Sequence, residues 1–431
     1  GGMSANLTEY VKNNYPDSKN DLFSVFMEKV PRMTKNCGYI GMMTSYTWMC
    51  ITSYSKLREY LLDNTTFISL IQPEYHSFFE EANVPICTFV IRKAVTGEKG
   101  RFLDLSKFTG ALEQDKKVLE AISRDLEVDY AYTTNTSNIR RIPKSSFAYW
   151  ANESVLQSFD DFKRLGEVAD VKKGMSTAKD DVYLRMWFEP LYENTAMSGY
   201  ENTKWYSITK GGEFKRWYGN NLYVVNWKNN GADLKNFKKA VLRNQQFYFK
   251  SPNLTWTYIT TYKINFRINY SDLFTAAGPC IFTNDLLYKL AFLNSAVAQF
   301  YINMLGGTTI TYEVGEVSNL PIRESAFRRE VEALAQKCID VSKLDWDDHE
   351  ISWEFKVNPL VKISRENSFN MKIEDAMHEY DAICQSRFRD VKTAEERINE
   401  IFIKEYGVEG EVEKTVEDKD ITINVVSPED E

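Results

Sequence analysis

The chain has 431 residues, which is enough for two or three domains of about 150 residues each and for a sizeable core. Its formal net charge at neutral pH is −8, no apolar run reaches membrane-spanning length, and the three histidines and six cysteines lack metal-ligand spacing. The sequence therefore predicts a cytoplasmic protein with reduced thiols, without a metal site and without a membrane partner.

The order of the predicted elements in the first 150 residues is that of an α/β domain. A short apolar run at residues 40–44 predicts a strand, and a helix is expected over residues 53–64. Two further strands are predicted at residues 67–72 and 86–92. Their connection is too short for a helical crossover, so these two strands should pair antiparallel at an edge of the sheet.

A composition change near Phe159 predicts a second domain, and a charged helical pattern predicts a third region from Ala326. The predicted domains are therefore 1–150, 159–325 and 326–431. In the middle domain, strands are expected at residues 165–171, 222–227, 246–250 and 263–268, and an apolar helix at residues 286–304. A long helix is predicted over residues 372–405.

Charge is distributed unevenly along the chain. Residues 1–159 contain 18 basic and 18 acidic residues, 160–330 contain 22 and 17, and 331–431 contain 13 and 26. The middle part is therefore +5 and the last part −13. A basic region between a neutral and an acidic one is typical of a nucleic-acid-binding module.

Several short motifs follow one another along the chain. The first are residues 6–19 with Asp21-Leu22-Phe23, then Ser45-Tyr46-Thr47-Trp48 and the apolar run 86–92. The middle part adds residues 172–177, 211–218, 278–282, 293–297 and 318–322. In order and spacing these motifs resemble the PglX family, the adenine-specific DNA methyltransferases of BREX phage exclusion, which are related to single-chain type II restriction-modification enzymes. The resemblance runs from about Asn6 to about Val426.

The resemblance implies an α/β, Rossmann-like methyltransferase sheet, here partial, followed by an α+β target-recognition domain and a helical C-terminal region. It implies double-stranded DNA as a partner, other phage-defence or restriction subunits as further partners, and S-adenosylmethionine as the cofactor of the full-length parent. It also places Phe78 and Phe79 where a flipped adenine would stack, with Phe79 preferred. The alternative is that both rings pack under the sheet edge.

The sequence departs from this family at the catalytic motifs. The family needs an Asn-Pro-Pro-Tyr motif and an earlier Gly-x-Gly turn, but here no two prolines are adjacent and no Gly-x-Gly occurs. We therefore expect a fragment without a catalytic residue or a bound cofactor, in which Gly1-Gly2-Met3 is an expression scar or follows the lost motif. The truncation should leave residues 40–44 as an unpaired strand, which a second copy could cover in a homodimer.

Candidate DNA contacts lie in two basic segments of the middle domain. They are Lys172, Lys173, Ser176, Thr177 and Lys179, and then Lys210, Lys215, Arg216 and Trp217. The first group combines cations with small hydroxyls, which suits phosphate contact, and the second mixes cations with an aromatic ring. The alternatives are a solvated turn for the first group and the start of a surface helix for the second.

Two other functions remain open on the sequence alone. A stand-alone specificity subunit that recruits a separate catalytic chain would be favoured by a natural start at Met3. The third interpretation is a carbohydrate-binding surface, because aromatic residues make up 14% of the chain.

Overall fold

The computed structural model describes residues 2–74, 85–199, 203–306 and 310–425. The chain forms two compact units. The first consists of Gly1–Asp161 with Asn303–Thr308, and the second of Phe162–Ile302 with Thr309–Glu431. The helical region from Ala326 onward therefore belongs to the same unit as the middle of the chain.

The first unit is a mixed α/β unit. Its described strands are β1 (Tyr39–Ser45), β2 (Thr66–Gln72), β3 (Ile86–Arg92), β4 (Gly100–Asp104) and β5 (Ala131–Thr134). Its described helices are α1 (Ala5–Asn14), α2 (Leu22–Met33), α3 (Ser55–Asn64), α4 (Ala111–Ser123) and α5 (Glu153–Asp161).

The five strands form one sheet with the order β1-β3-β2-β4-β5. The antiparallel pairing of β2 with β3 is confirmed. Their predicted position at a sheet edge is wrong, and so is the unpaired strand at residues 40–44, because β1 pairs antiparallel with β3 from Tyr39↔Arg92 to Ser45↔Ile86. Loop length predicts only that β2 and β3 are neighbours, and a third strand is free to occupy the other side of β3. Within the described residues, the opposite side of β1 has no strand partner.

The core of the first unit centres on Trp48, the last residue of the Ser-Tyr-Thr-Trp motif. Its ring is fully buried and packs edge-on against Phe147, with ring centres 5.1 Å apart. The buried guanidinium of Arg58 donates hydrogen bonds to the carbonyl oxygens of Trp48 (2.6 Å), Ile51 (2.9 Å) and Lys144 (2.9 Å). Burial lowers the pKa of Arg58 to about 10. These bonds fix the turn that follows the carboxyl end of β1.

Within the described residues, the second unit contains three small sheets and most of the helices. Its described strands are β6 (Lys163–Arg164), β7 (Asp170–Lys172), β8 (Leu184–Met186), β9 (Trp205–Thr209), β10 (Tyr223–Asn226), β11 (Asn253–Trp256), β12 (Phe266–Asn269), β13 (Leu273–Phe274), β14 (Cys280–Phe282) and β15 (Pro321–Ile322). The sheet orders are β13-β9-β10-β8, β12-β11-β14-β7 and β15-β6.

The described helices of this part of the chain range from single turns of four residues to one of 34 residues, and the two longest lie towards its end. They are α6 (Leu165–Val168), α7 (Asp180–Tyr183), α8 (Lys228–Asn236), α9 (Leu286–Asn294), α10 (Ala296–Gly306), α11 (Val314–Val317), α12 (Arg328–Asp347), α13 (Pro359–Glu366) and α14 (Ile373–Tyr406). Helices α12 and α14 pack against each other, and α12 also packs against α9. None of the helices in the described ranges is long and apolar enough to cross a membrane.

Two predicted strands of the second unit are wrong over most of their length. Residues 165–168 form the helical turn α6, and only the end of the predicted segment enters β7. Residues 245–247 form a 3-10 turn between Asn244 (φ 54°) and Phe249 (φ 61°). Two left-handed residues so close together prevent an extended strand there. The strand at residues 222–227 and the long helix at residues 372–405 are confirmed by β10 and α14.

The apolar helix predicted at residues 286–304 is broken into α9 and α10 at Ser295. The Ser295 hydroxyl accepts a hydrogen bond from the backbone NH of Ala298 (3.2 Å). The side-chain oxygen of Asn399, on α14, accepts another from the NH of Ala296 (2.8 Å). A long-range cap of this kind replaces the missing helical hydrogen bonds at the break.

Gly174 lies where the backbone beyond β7 runs parallel to β13 and its following residue. The Met175 NH donates to the Phe274 carbonyl oxygen (3.0 Å), and a Cβ at position 174 would lie 2.1 Å from that same oxygen. Gly174→Ala should therefore lower the free energy of unfolding of the second unit by about 1–3 kcal/mol or more, measured by urea unfolding. Gly410→Ala is the matched control, since nothing lies within 4 Å of its position. Equal stability of the two variants would contradict the prediction.

Candidate nucleic-acid interface

The end of β7 and the turn after it carry three of the predicted cations. The Lys172 ammonium lies 2.9 Å from a carboxylate oxygen of Asp170. The Lys173 ammonium lies 3.8 Å from the centre of the Tyr258 ring. Lys179 is exposed. The side chains of Lys172 and Lys173 are about one-third exposed, so all three side chains reach solvent, although the Lys173 ammonium also lies 3.7 Å from a carboxylate oxygen of Glu313.

The two small hydroxyl residues of this turn have different surroundings. The backbone of Ser176 exchanges hydrogen bonds with that of Val241 in both directions, at 2.9 and 2.8 Å. Thr177 is buried, and its hydroxyl donates to the Asp180 carboxylate. The predicted cation Lys210 lies 2.8 Å from the other oxygen of Asp180. Burial would raise the pKa of Asp180, but the hydrogen bonds from Lys210 and Thr177 hold it below its ordinary value.

Lys215, Arg216 and Trp217 lie inside the second unit. The Trp217 ring is 1% exposed, and its indole NH donates to Glu395 on α14 (2.6 Å). The Arg216 guanidinium forms an ion pair with the same carboxylate. The Lys215 ammonium donates to the Thr422 carbonyl oxygen (3.0 Å), and burial lowers its pKa.

Glu395 is itself buried, with 3% of its side chain exposed. Burial raises the pKa of its carboxyl group, and the Arg216 guanidinium and the Trp217 indole oppose that shift. Arg216 and Trp217 therefore hold α14 in place. These buried residues are not available to DNA, so the hypothesis of DNA contact applies only to residues that reach solvent.

A second basic segment, which the sequence analysis missed, lies beside the turn. Residues 235–250 contain five basic residues and no acidic residue, and all five are exposed: Lys235, Lys238, Lys239, Arg243 and Lys250. Lys238, Lys239 and Arg243 form no ion pair within the described part of the chain. A charge count over residues 235–250 alone reveals this segment. A count over all of residues 160–330 hides it, because acidic residues elsewhere in that range offset the five cations.

Several contacts join the two segments. Besides the backbone bridge between Ser176 and Val241, the Asn244 amide donates to the Lys173 carbonyl oxygen (2.9 Å). The Lys179 ammonium lies 5.8 Å from the centre of the Phe237 ring. We refer to the solvent-reaching cations of both segments as the basic surface: Lys172, Lys173, Lys179, Lys235, Lys238, Lys239, Arg243 and Lys250. Cations spread along two adjacent segments can contact successive phosphates of a polyanion.

The proposed base-stacking residues Phe78 and Phe79 lie outside the described residues. The strands on either side are described, and their geometry shows where the connection leaves the sheet. Because β1 and β2 are both antiparallel to β3, their carboxyl ends lie at the same edge, where Ser45 pairs with Ile86. In α/β sheets, ligands bind outside the carboxyl ends of the strands.

Both the sequence and the fold of the chain resemble those of restriction-modification enzymes. The model of the Eco57I restriction-modification methylase family matches residues 1–79. The fold is similar to that of MmeI, a Type IIL restriction-modification enzyme solved in complex with DNA, with a TM-score of 0.56 at 10% identity. That similarity covers 96% of this chain and 53% of MmeI.

More particularly, the chain is homologous to the adenine-specific methyltransferases PglX and BrxX. It is 32% identical to PglX of Lacticaseibacillus casei (strain Zhang) over 443 residues, which covers 98% of this chain and 36% of PglX. It is 33% identical to BrxX of Escherichia coli O9:H4 (strain HS) over 373 residues, which covers 84% of this chain and 30% of BrxX. The chain thus spans about a third of the length of these relatives.

Proposed function

We propose that these 431 residues are the DNA-recognition part and the closing part of the methyltransferase domain of an adenine-specific DNA methyltransferase from a restriction-modification or BREX phage-defence system. The observation that carries the proposal is the basic surface of the second unit, whose cations lie on two segments joined by backbone hydrogen bonds. The homology to PglX and BrxX supports it. The parent protein would transfer a methyl group from S-adenosylmethionine to N6 of adenine in double-stranded DNA.

The first unit would contribute one side of the methyl-transfer site. Its β1-β3-β2 arrangement and the outer edge of β1, which has no strand partner in the described part of the chain, suit pairing with further strands. We propose that strands elsewhere in the parent supply the Asn-Pro-Pro-Tyr motif and the methyl-donor turn at that edge. Phe79, in the loop after β2, would stack on the flipped adenine, with Phe78 beside it. When the 431 residues are alone, a second copy could cover β1.

A methyl-transfer assay tests the catalytic part of this proposal. With tritiated S-adenosylmethionine and mixed duplex DNA, these residues alone should incorporate no label, since the sequence contains neither Asn-Pro-Pro-Tyr nor Gly-x-Gly. The full-length parent is the positive control, and in that protein Phe79→Ala should reduce methylation strongly. Label transferred by the 431 residues alone would mean that they hold a complete active site.

A further inference from the structure

An open cleft of about 610 Å³ lies in the second unit beside the basic surface. Two partly exposed aromatic rings line it, Phe247 and Phe282, with centres 4.7 Å apart and planes inclined by 34°. Both rings pack against a buried hydrophobic cluster, and this packing fixes their positions. The cleft therefore offers a rigid aromatic surface that is open to solvent.

One uncompensated positive charge stands next to these rings. The ammonium groups of Lys172 and Lys250 lie 5.3 and 4.9 Å from the centre of the Phe247 ring. Asp170 neutralises Lys172 at 2.9 Å. Lys250 is exposed and has no carboxylate partner within the described ranges. It is therefore available to one anionic group of a ligand.

Hydrogen-bond acceptors complete the lining of the cleft. The carboxylate of Asp285 is occupied by Lys289 (2.9 Å) and by Arg328. Glu167 and Asp170 also line the cleft, and within the described residues each carboxylate has more acceptor positions than its hydrogen-bond and ion-pair partners occupy. Carboxylates beside an aromatic surface match a ligand that has a flat ring and an amino group.

We propose that this cleft binds one unpaired nucleotide, with its base against Phe247 and Phe282, its exocyclic amino group towards the acidic lining, and its phosphate at Lys250. Stacking on an aromatic side chain is available to every base, but only adenine, cytosine and guanine carry an exocyclic amino group. The site shares Lys250 with the basic surface, so it extends the DNA-recognition role proposed above and rests on it. Two sources share this chemistry, a nucleotide extruded from bound DNA and a free mononucleotide.

Fluorescence anisotropy with three labelled duplexes tests the proposal. One duplex is fully paired, one has a single unpaired adenine, and one has a single unpaired thymine. The unpaired-adenine duplex should bind about tenfold more tightly than the paired one, and the unpaired-thymine duplex should show a smaller preference. Lys250→Gln and Phe247→Leu should each reduce the preference for unpaired adenine towards one. Lys356→Gln, at an exposed lysine outside the cleft, should leave the preference intact.

Titration with adenosine monophosphate separates the two sources of the nucleotide. Binding of the monophosphate that is lost in Lys250→Gln, without any preference for unpaired adenine in DNA, would assign the cleft to a free nucleotide. Equal affinity for the paired and unpaired duplexes, together with no binding of the monophosphate, would overturn the proposal and leave DNA binding by the basic surface intact. Failure to bind any duplex would instead contradict the proposed function, and the monophosphate titration would still decide the cleft.

Discussion

Glu395→Ala is expected to lower the free energy of unfolding of the second unit by about 3–5 kcal/mol. The substitution leaves the Arg216 guanidinium, only 14% exposed, without its carboxylate. It also removes the acceptor of the buried Trp217 indole NH. A buried charge and a buried donor would both lose their partners, and each loss is costly in a low-dielectric interior.

Urea unfolding of the purified 431 residues measures this effect, and hydrogen exchange locates it. Exchange should accelerate in peptides from α14 and from residues 214–218 more than in peptides from the first unit. Glu379→Ala is the control, because Glu379 is an exposed glutamate on the same helix. Glu395→Gln separates charge from shape, since it keeps an acceptor for Trp217 but leaves Arg216 without a carboxylate, with only the Asn294 carbonyl oxygen as a remaining acceptor. Stability of Glu395→Ala within about 1 kcal/mol of the control would refute a structural role for the pair.

The position of Lys215, Arg216 and Trp217 could not be predicted from the local sequence. A Gly-Gly turn followed by two cations and an aromatic residue suggests a surface segment. The carboxylate that neutralises Arg216 lies 179 residues later in the chain. A local pattern contains no information about such a partner, so the segment looks exposed until the helix that covers it is placed. Burial of a charge is decided by long-range pairing.

The predictions of the fold that the structure confirms depend on constraints between residues close together in the sequence. The connection between β2 and β3 is too short for a crossover helix, which leaves antiparallel pairing as the solution. The apolar period of residues 372–405 extends over many turns and gives α14. The position of β1 beside β3 could not be deduced in this way, because it depends on pairing between strands separated by some forty residues along the chain.

The basic surface was predicted only in part for a related reason. The turn at residues 172–179 predicts phosphate contact because it combines lysines, a glycine and hydroxyl residues within eight positions. The segment 235–250 has its five cations spread over sixteen positions, between ordinary apolar residues. The role proposed for them depends on the bridge between Ser176 and Val241, which places the two segments side by side. The residues could be found in the sequence, but their arrangement could not.

Replacement of Lys238, Lys239 and Arg243 by alanine is expected to weaken binding to every duplex sequence alike. Each of these side chains is exposed and without an ion pair among the described residues, so each can contact a phosphate without first breaking another interaction. Phosphate contacts position a protein on DNA and carry no sequence information. If all three contact phosphates, the slope of the logarithm of the binding constant against the logarithm of salt concentration should become shallower by about 2.7.

Fluorescence anisotropy between 50 and 200 mM salt measures that slope on at least two unrelated duplexes. The matched control is the triple variant with alanine at Lys356, Lys362 and Arg365, which removes the same charge from exposed positions outside the basic surface. The control should keep the slope of the unmodified protein, because a change in net charge alone releases no counterions from DNA. Lys215→Gln should also keep that slope, since the Lys215 ammonium donates to the Thr422 carbonyl inside the unit. If the two triple variants change the slope equally, the positive charge acts only through the long-range field of the protein, and the basic surface is not the contact.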